Sequence, residues 1–276
     1  MGTGALGLAA CTSGGGTSGE SAESTIPDLT SPATSPASSE APGTTASTSV
    51  ATDPAVSSAP LPTDPPADDG VMPLSAADFD GLAICTLVPS TPAGPFPTID
   101  QLDRRDVTEN YPGHPLRLAL RVVDEGCTAI PDARLEIWHT DATGDYSSYE
   151  DGGSGKDEGS GSTFMRGFQT SDADGITEFM TIYPGWYSGR VVHIHVRVYV
   201  GGDRVLTTQL YFDDGYTDAV LATGVYAEFG PQDTTWADDG LIGANPATDG
   251  SEIVLRPAET DRGFGTLGLA NIGVPT

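Results

Sequence analysis

Positive charge is scarce in this chain. It carries 12 Lys and Arg against 39 Asp and Glu, for a net charge of -27 and a pI near 4.1. No Lys or Arg occurs before Arg104. Binding nucleic acid takes clustered basic side chains that neutralise phosphates, so that class of partner is argued against, and an anionic membrane surface with it. The acidity reads as solubility through self-repulsion. Long hydrophobic runs are also missing, so nothing reads as a bilayer-spanning helix. From about Thr12 to Asp69 there are almost no aromatic or large aliphatic side chains, only Gly, Ser, Thr, Pro, Ala and scattered acids. Such a stretch buries too little apolar surface to offset the entropy of ordering it. Residues 12–73 are therefore expected to be a flexible Ser/Thr/Pro-rich tether, and residues 74–276 one domain.

Cysteine is nearly absent too, with three in all. Cys11 follows Leu8-Ala9-Ala10, which resembles a bacterial lipobox, and residues 1–11 read as a partial signal peptide ending in a lipidated Cys11. The positive n-region of a signal peptide is missing, so either the true start lies upstream or Cys11 is incidental. The expectation is an exported, cell-surface protein that meets the membrane only through an N-terminal lipid anchor. In that compartment Cys85 and Cys127 are expected to form a disulfide; two buried free thiols are the alternative.

Helical periodicity is as rare as cysteine. What recurs is the two-residue alternation of strands. Leu116, Leu118, Leu120 and Val122 fall on one face while Arg117, Ala119 and Arg121 fall on the other, which predicts a half-buried strand. Further strands are expected over Ala133–Trp138, Phe164–Thr170, Ile176–Tyr183, Arg204–Phe212, Ser251–Arg256 and Phe264–Ile272. Gly201-Gly202-Asp203 predicts a hairpin turn. Asp172-Ala173-Asp174-Gly175 reads as a plain turn, His139–Ser162 as a long loop, and Leu221–Gly240 as loop. Short strands between Gly/Pro turns predict an all-β fold, a β-sandwich of mainly antiparallel strands with long active-site loops.

One strand carries chemistry. From Val192 onward, Val192, Ile194, Val196 and Val198 share one face, and His193, His195, Arg197 and Tyr199 share the other. Two imidazoles two residues apart can converge on one metal ion. Alone, the pattern reads equally well as two histidines on a polar sheet face. There are four His in all. His114 sits in a turn, and His139 reads as a hydrogen-bonded structural residue, so further ligands would come from Tyr, Asp, Glu or Cys.

The surrounding residues carry a resemblance. Tyr183-Pro184-Gly185-Trp186-Tyr187, then Arg190, then His193-Ile194-His195 resembles the iron-binding segment of the intradiol ring-cleavage dioxygenases, closest to the protocatechuate-type catalytic domain. Glu136-Ile137-Trp138-His139 through Gly144-Asp145-Tyr146 is similar to the family's first tyrosine segment. Gln209-Leu210-Tyr211-Phe212 is similar to its glutamine segment, and Cys85-Thr86-Leu87 with Gly94-Pro95-Phe96 to its entry. The resemblance spans about Leu74 to Thr276. It implies one mononuclear non-haem Fe(III) held by Tyr146, Tyr187, His193 and His195. It also implies Tyr187, Arg190 and Gln209 in catalysis, a small catecholic substrate and O2 as partners, and a cis,cis-muconate-type product. Phenolates are hard anionic ligands suited to a hard ferric ion. A departure is the tether, which stands where the catechol branch has a helical dimerisation domain. No carboxylate-binding residue is matched in Ser147–Ser162, whose one cation is Lys156. Two other readings are a non-catalytic aromatic-binding module on the same sandwich and a zinc hydrolase using His193 and His195; the second lacks a fitting third ligand with a Glu base nearby.

Overall fold

The period-two segments become two four-stranded sheets, because each strand carries an aliphatic face that only an opposing sheet can bury. The computed structural model describes residues 71–82, 86–98, 102–148, 161–243, 245–257 and 265–276. Cys11, Cys85, Lys156 and most of the expected tether lie outside these residues. The strands are β1 (Pro115–Val123), β2 (Arg134–Trp138), β3 (Arg166–Thr170), β4 (Ile176–Ile182), β5 (His193–Val200), β6 (Asp203–Tyr211), β7 (Val254–Pro257) and β8 (Thr266–Gly273). One sheet runs β4-β1-β8-β7 and the other β3-β2-β5-β6. All pairings are antiparallel except β1 with β8. This is the expected all-β sandwich.

The two inner faces interlock. Leu118 and Leu120 of β1 and Ile194 and Val196 of β5 are fully buried in one core cluster. Burying each such side chain is worth about 1.5–3 kcal/mol, so β5 is anchored from behind along its length. The β5–β6 hairpin closes through Gly201 and Gly202, whose φ values of 61° and 93° are the left-handed pair that a tight two-residue turn demands.

Two expectations are corrected. β1 is buried on both faces, not one. Phe79 and Leu82 pack with Ala119, Ile176, Leu267 and Leu269 over its outer side. Arg117, 1% exposed, is held there by Glu178 at 2.7 Å, which supplies the counter-charge a buried guanidinium needs. The second concerns helix. Asp214–Leu221 forms α1, capped by the Asp213 carboxylate accepting from the Tyr216 backbone N–H, and the stretch read as loop opens with a 3-10 turn over Gly224–Glu228. A short second helix, α2, spans Pro246–Asp249. Among the described residues no helix is long and apolar enough to cross a membrane.

His139 has the structural place expected. It is fully buried, with Nδ1 2.7 Å from the Thr140 carbonyl and Nε2 2.8 Å from the Thr181 hydroxyl. Burial pulls its pKa down to about 4. Between that value and about 6.5, the unfolded chain takes up a proton that the folded chain refuses, so stability rises with pH across this window. Acidification from about pH 6.5 towards 4 is expected to remove up to about 3 kcal/mol through this group. Thermal midpoints of metal-free protein against pH check it: His139→Gln should show a shallower slope over that window, and an unchanged slope would contradict the assignment.

Candidate metal centre

β5 presents His193 and His195 on the face turned away from the core, and the remaining site residues come from loops that converge on that face. Tyr146 lies in the loop after β2. Tyr187 lies between β4 and β5. The two loops touch at Gly144, where φ is +89° and a Cβ would fall 2.2 Å from the Trp186 carbonyl oxygen. Only glycine permits that approach, and it brings the two tyrosines to the same side of the sheet. A roof is added by the segment before β1. Thr91 donates its backbone N–H to Thr207, Thr208 donates its hydroxyl to the Pro89 carbonyl, and Phe96 stacks on Tyr146 with centroids 4.6 Å apart. The histidine face is thus buried: His193 is 3% exposed and His195 1%.

Four donor atoms meet under this roof. His195 Nε2 lies 3.0 Å from Tyr146 Oη and 3.2 Å from His193 Nε2. His193 Nε2 lies 3.3 Å from both Tyr146 Oη and Tyr187 Oη. His193 Nδ1–H donates to the Val191 carbonyl at 2.7 Å, which leaves the lone pair on Nε2 facing the other three donors. Burial pulls His193 down to about 3, helped by Arg190, and pulls His195 well below the usual imidazole range, helped by His193. Both rings are therefore neutral and able to donate lone pairs. Burial pushes the Tyr146 phenol far up, with Tyr187 adding to it, and raises Tyr187 as well, against the pull of Arg190. Ionising either phenol calls for a cation in their midst.

These residues fit a metal. Ligand atoms at about 2.0–2.1 Å from a first-row ion sit about 2.9–3.4 Å from one another, which is the spacing found here. Among the described residues no three His, Cys, Asp or Glu side chains form a set that could hold an ion, so a site here depends on the tyrosines. Among those residues the zinc hydrolase reading finds no third ligand.

Arg190 lies beside the four donors. Its Nε donates to Asp239 Oδ2 at 2.9 Å and its Nη2 to Gln209 Oε1. Gln209 is buried and fixed in turn by donating to the Pro92 carbonyl at 2.8 Å. Asp239 also accepts from the backbone N–H of Val191 at 3.0 Å and of Leu241 at 2.9 Å. Burial alone would raise the Asp239 carboxyl, but those two N–H groups and Arg190 hold it below its ordinary value.

A family model described as Dioxygenase matches residues 94–247. A chlorocatechol 1,2-dioxygenase of Rhodococcus opacus is 30% identical over 137 residues, 42% of this chain and 51% of that protein. An intradiol ring-cleavage dioxygenase of Aspergillus niger is 29% identical over 177 residues, 55% of this chain and 49% of that protein. The chain belongs to the intradiol ring-cleavage dioxygenase family. It spans about half the length of these curated relatives. Among solved structures, an intradiol ring-cleavage dioxygenase from Tetranychus urticae superposes with a TM-score of 0.62 at 25% identity, covering 69% of this chain and 95% of that one. The dioxygenase domain of a dioxygenase carbohydrate-binding fusion from Streptomyces sp. SirexAA-E gives 0.51 at 27% identity, covering 69% and 99%.

In this intradiol-family chain the structure brings together Tyr146, Tyr187, His193, His195, Arg190 and Gln209, all six of the residues read from sequence for the site. Cys85 and Cys11 lie outside the described residues, as does most of the acidic loop after Tyr146. The sequence reading missed Asp239 and Asp233. Asp233 accepts from Ser188 Oγ at 2.6 Å and from the Gly189 N–H at 3.0 Å. Together the two carboxylates hold Ser188 through Val191, the link between Tyr187 and His193. They sit in a run with four aspartates between 233 and 249, and nothing in that run marks these two as different from solvated surface acids.

Proposed function

We propose that this chain cleaves the ring of a catecholic aromatic between its two hydroxyl-bearing carbons. The co-substrate is O2 and the product a cis,cis-muconate-type diacid. A single ferric ion would be held by Tyr146, Tyr187, His193 and His195. The observation that carries the reading is the convergence of two phenol oxygens and two imidazole nitrogens, with His193 Nε2 3.2–3.3 Å from each of the other three and His195 Nε2 3.0 Å from Tyr146 Oη. Family membership supports the reaction class, and the relatives' activities support a catechol as the substrate class.

When bound, ferric iron supplies a hard Lewis acid that draws electron density from a catecholate and opens its ring to O2. The chain's own residues supply the rest. Tyr146 is fully buried and stacked, so it stays as an anchoring donor, while Tyr187 is partly exposed. Once ionised by the bound cation, Tyr187 Oη would be the position to which a substrate hydroxyl passes its proton. The Arg190 guanidinium, fixed by Asp239 and Gln209, faces negative charge on the bound catecholate. Phe96 and the segment around it keep water from the buried side of the site.

The test is O2 uptake by iron-loaded protein with a panel of catechols, with identification of the acyclic product. One O2 consumed per ring opened supports the reading. Catechol binding with no O2 uptake would move the assignment to an aromatic-binding module. Export with a lipid anchor at Cys11, and a Cys85–Cys127 disulfide, are proposed on the lipobox-like Leu8-Ala9-Ala10-Cys11 and the Ser/Thr/Pro-rich stretch after it. Intact mass of the native protein before and after reduction tests both.

A further inference from the structure

We propose that Trp138 is the positioning residue for His195, holding that imidazole towards the other three donors by ring stacking instead of by a hydrogen bond. The inference rests on the reading of His195 as a metal donor. A histidine that binds metal through one nitrogen is normally oriented by a hydrogen bond at the other. His193 follows that rule through Val191. His195 does not: its Nδ1 is buried and finds no hydrogen-bond partner among the described residues. Its ring is held in other ways. Trp138 is the cross-strand neighbour of His195 in the β2–β5 pairing. The two rings lie face to face, with centroids 4.7 Å apart and planes 4° from parallel. At the ring's edge Gly94 leaves no slack, since a Cβ there would lie 3.3 Å from His195 Cε1.

Trp138 is itself held. It is fully buried, and the Arg197 guanidinium lies 4.9 Å from its ring centroid, a contact that a π face favours. Arg197 is bound to Glu136 at 3.2 Å, and these two are the next pair on the same face of the two strands. Two cross-strand pairs that neighbour each other on this face, Trp138 with His195 and Glu136 with Arg197, thus make one packed block under the four donors. An aromatic slab sets the plane and tilt of a facing ring but draws no electron density from it. The result is a His195 that is oriented without gaining the extra basicity that a carboxylate or carbonyl partner confers on a donor histidine.

The experiment compares full-length wild type, Trp138→Leu, Trp138→Phe and the double variant Glu136→Gln/Arg197→Met. The double variant removes the ion pair without stranding a charge. Ferric iron affinity is read by chelator competition, the phenolate-to-iron absorption band by visible spectroscopy, and metal-free thermal midpoints serve as the control for folding. Trp138→Leu is expected to bind iron about 10–100-fold more weakly with a displaced band. Trp138→Phe should recover most of both, and the double variant should shift both a few-fold in the same direction. A structural role alone would lower the metal-free midpoint and leave affinity and band untouched, which overturns the proposal. If Trp138→Leu does not fold, wild-type affinity and band in the double variant overturn it equally. Wild type that takes up no ferric iron overturns the metal reading and this inference together, whereas wild-type uptake with unchanged variants overturns the inference alone.

Discussion

His195→Gln is expected to lose its ferric iron and, with it, both its visible colour and its ring-cleaving activity. His195 Nε2 closes on two of the other donors, 3.0 Å from Tyr146 Oη and 3.2 Å from His193 Nε2. Removing it leaves one imidazole and two phenols. Those phenols are pushed up by burial, and a more weakly held cation is less able to keep them ionised, so the loss is cooperative. Mutating partners outside the ligand set typically costs about 10–100-fold in metal affinity. A donor itself should cost more than 100-fold on the same scale. Glutamine keeps much of the ring's volume, so the change tests ligation more than packing. Iron per chain after a chelator wash measures it. A variant that keeps one tightly held iron and full colour would sink the ligand assignment.

The second large effect is expected at Arg190. In Arg190→Met the iron should stay, and kcat should fall by about 10²–10³, the usual cost of losing one preorganised stabiliser of developing charge. The guanidinium makes two directed contacts, to Asp239 and to Gln209, and an ammonium in its place cannot reproduce that fork. Arg190→Lys should therefore rescue little. Arg190→Met also leaves Asp239, whose side chain is 0% exposed, without its counter-charge. The double variant Arg190→Met/Asp239→Asn separates the two effects. If the rate loss comes from charge at the substrate, the double variant stays slow while its thermal midpoint recovers. If Arg190 is only a structural ion pair, the double variant regains activity, and the catalytic role assigned to Arg190 is wrong. Rates are compared per bound iron, with kcat and KM resolved separately.

The parts of the molecule legible in the sequence are those set by local rules. Alternation along β5 put His193 and His195 on one face and Ile194 and Val196 on the other, because a strand's side chains leave it no other choice. The tyrosines were legible through motif, not through periodicity. What stayed hidden depends on contacts between distant segments. The charges Arg117 and Arg121 gave β1 the look of a half-solvated strand. Its outer face is in fact covered by Phe79 and Leu82 from far upstream, and Arg117 is neutralised by Glu178 on β4. The parallel β1–β8 pair joins strands some 150 residues apart, and no turn chemistry announces such a contact. Helix α1 is eight residues with acids on it, and its one local signal was the capping Asp213. Asp239 was invisible for a related reason, since its role exists only once its loop folds over Arg190.

The central claim is that two phenolates and two imidazoles of this chain share one ferric ion. Resonance Raman spectroscopy of the iron-loaded protein, excited in its visible band, tests it most directly. Wild type is expected to show enhanced tyrosinate vibrations from two inequivalent residues, with Tyr146→Phe and Tyr187→Phe each losing one set. Iron-loaded wild-type protein with no enhanced tyrosinate modes would contradict the account, whatever its activity.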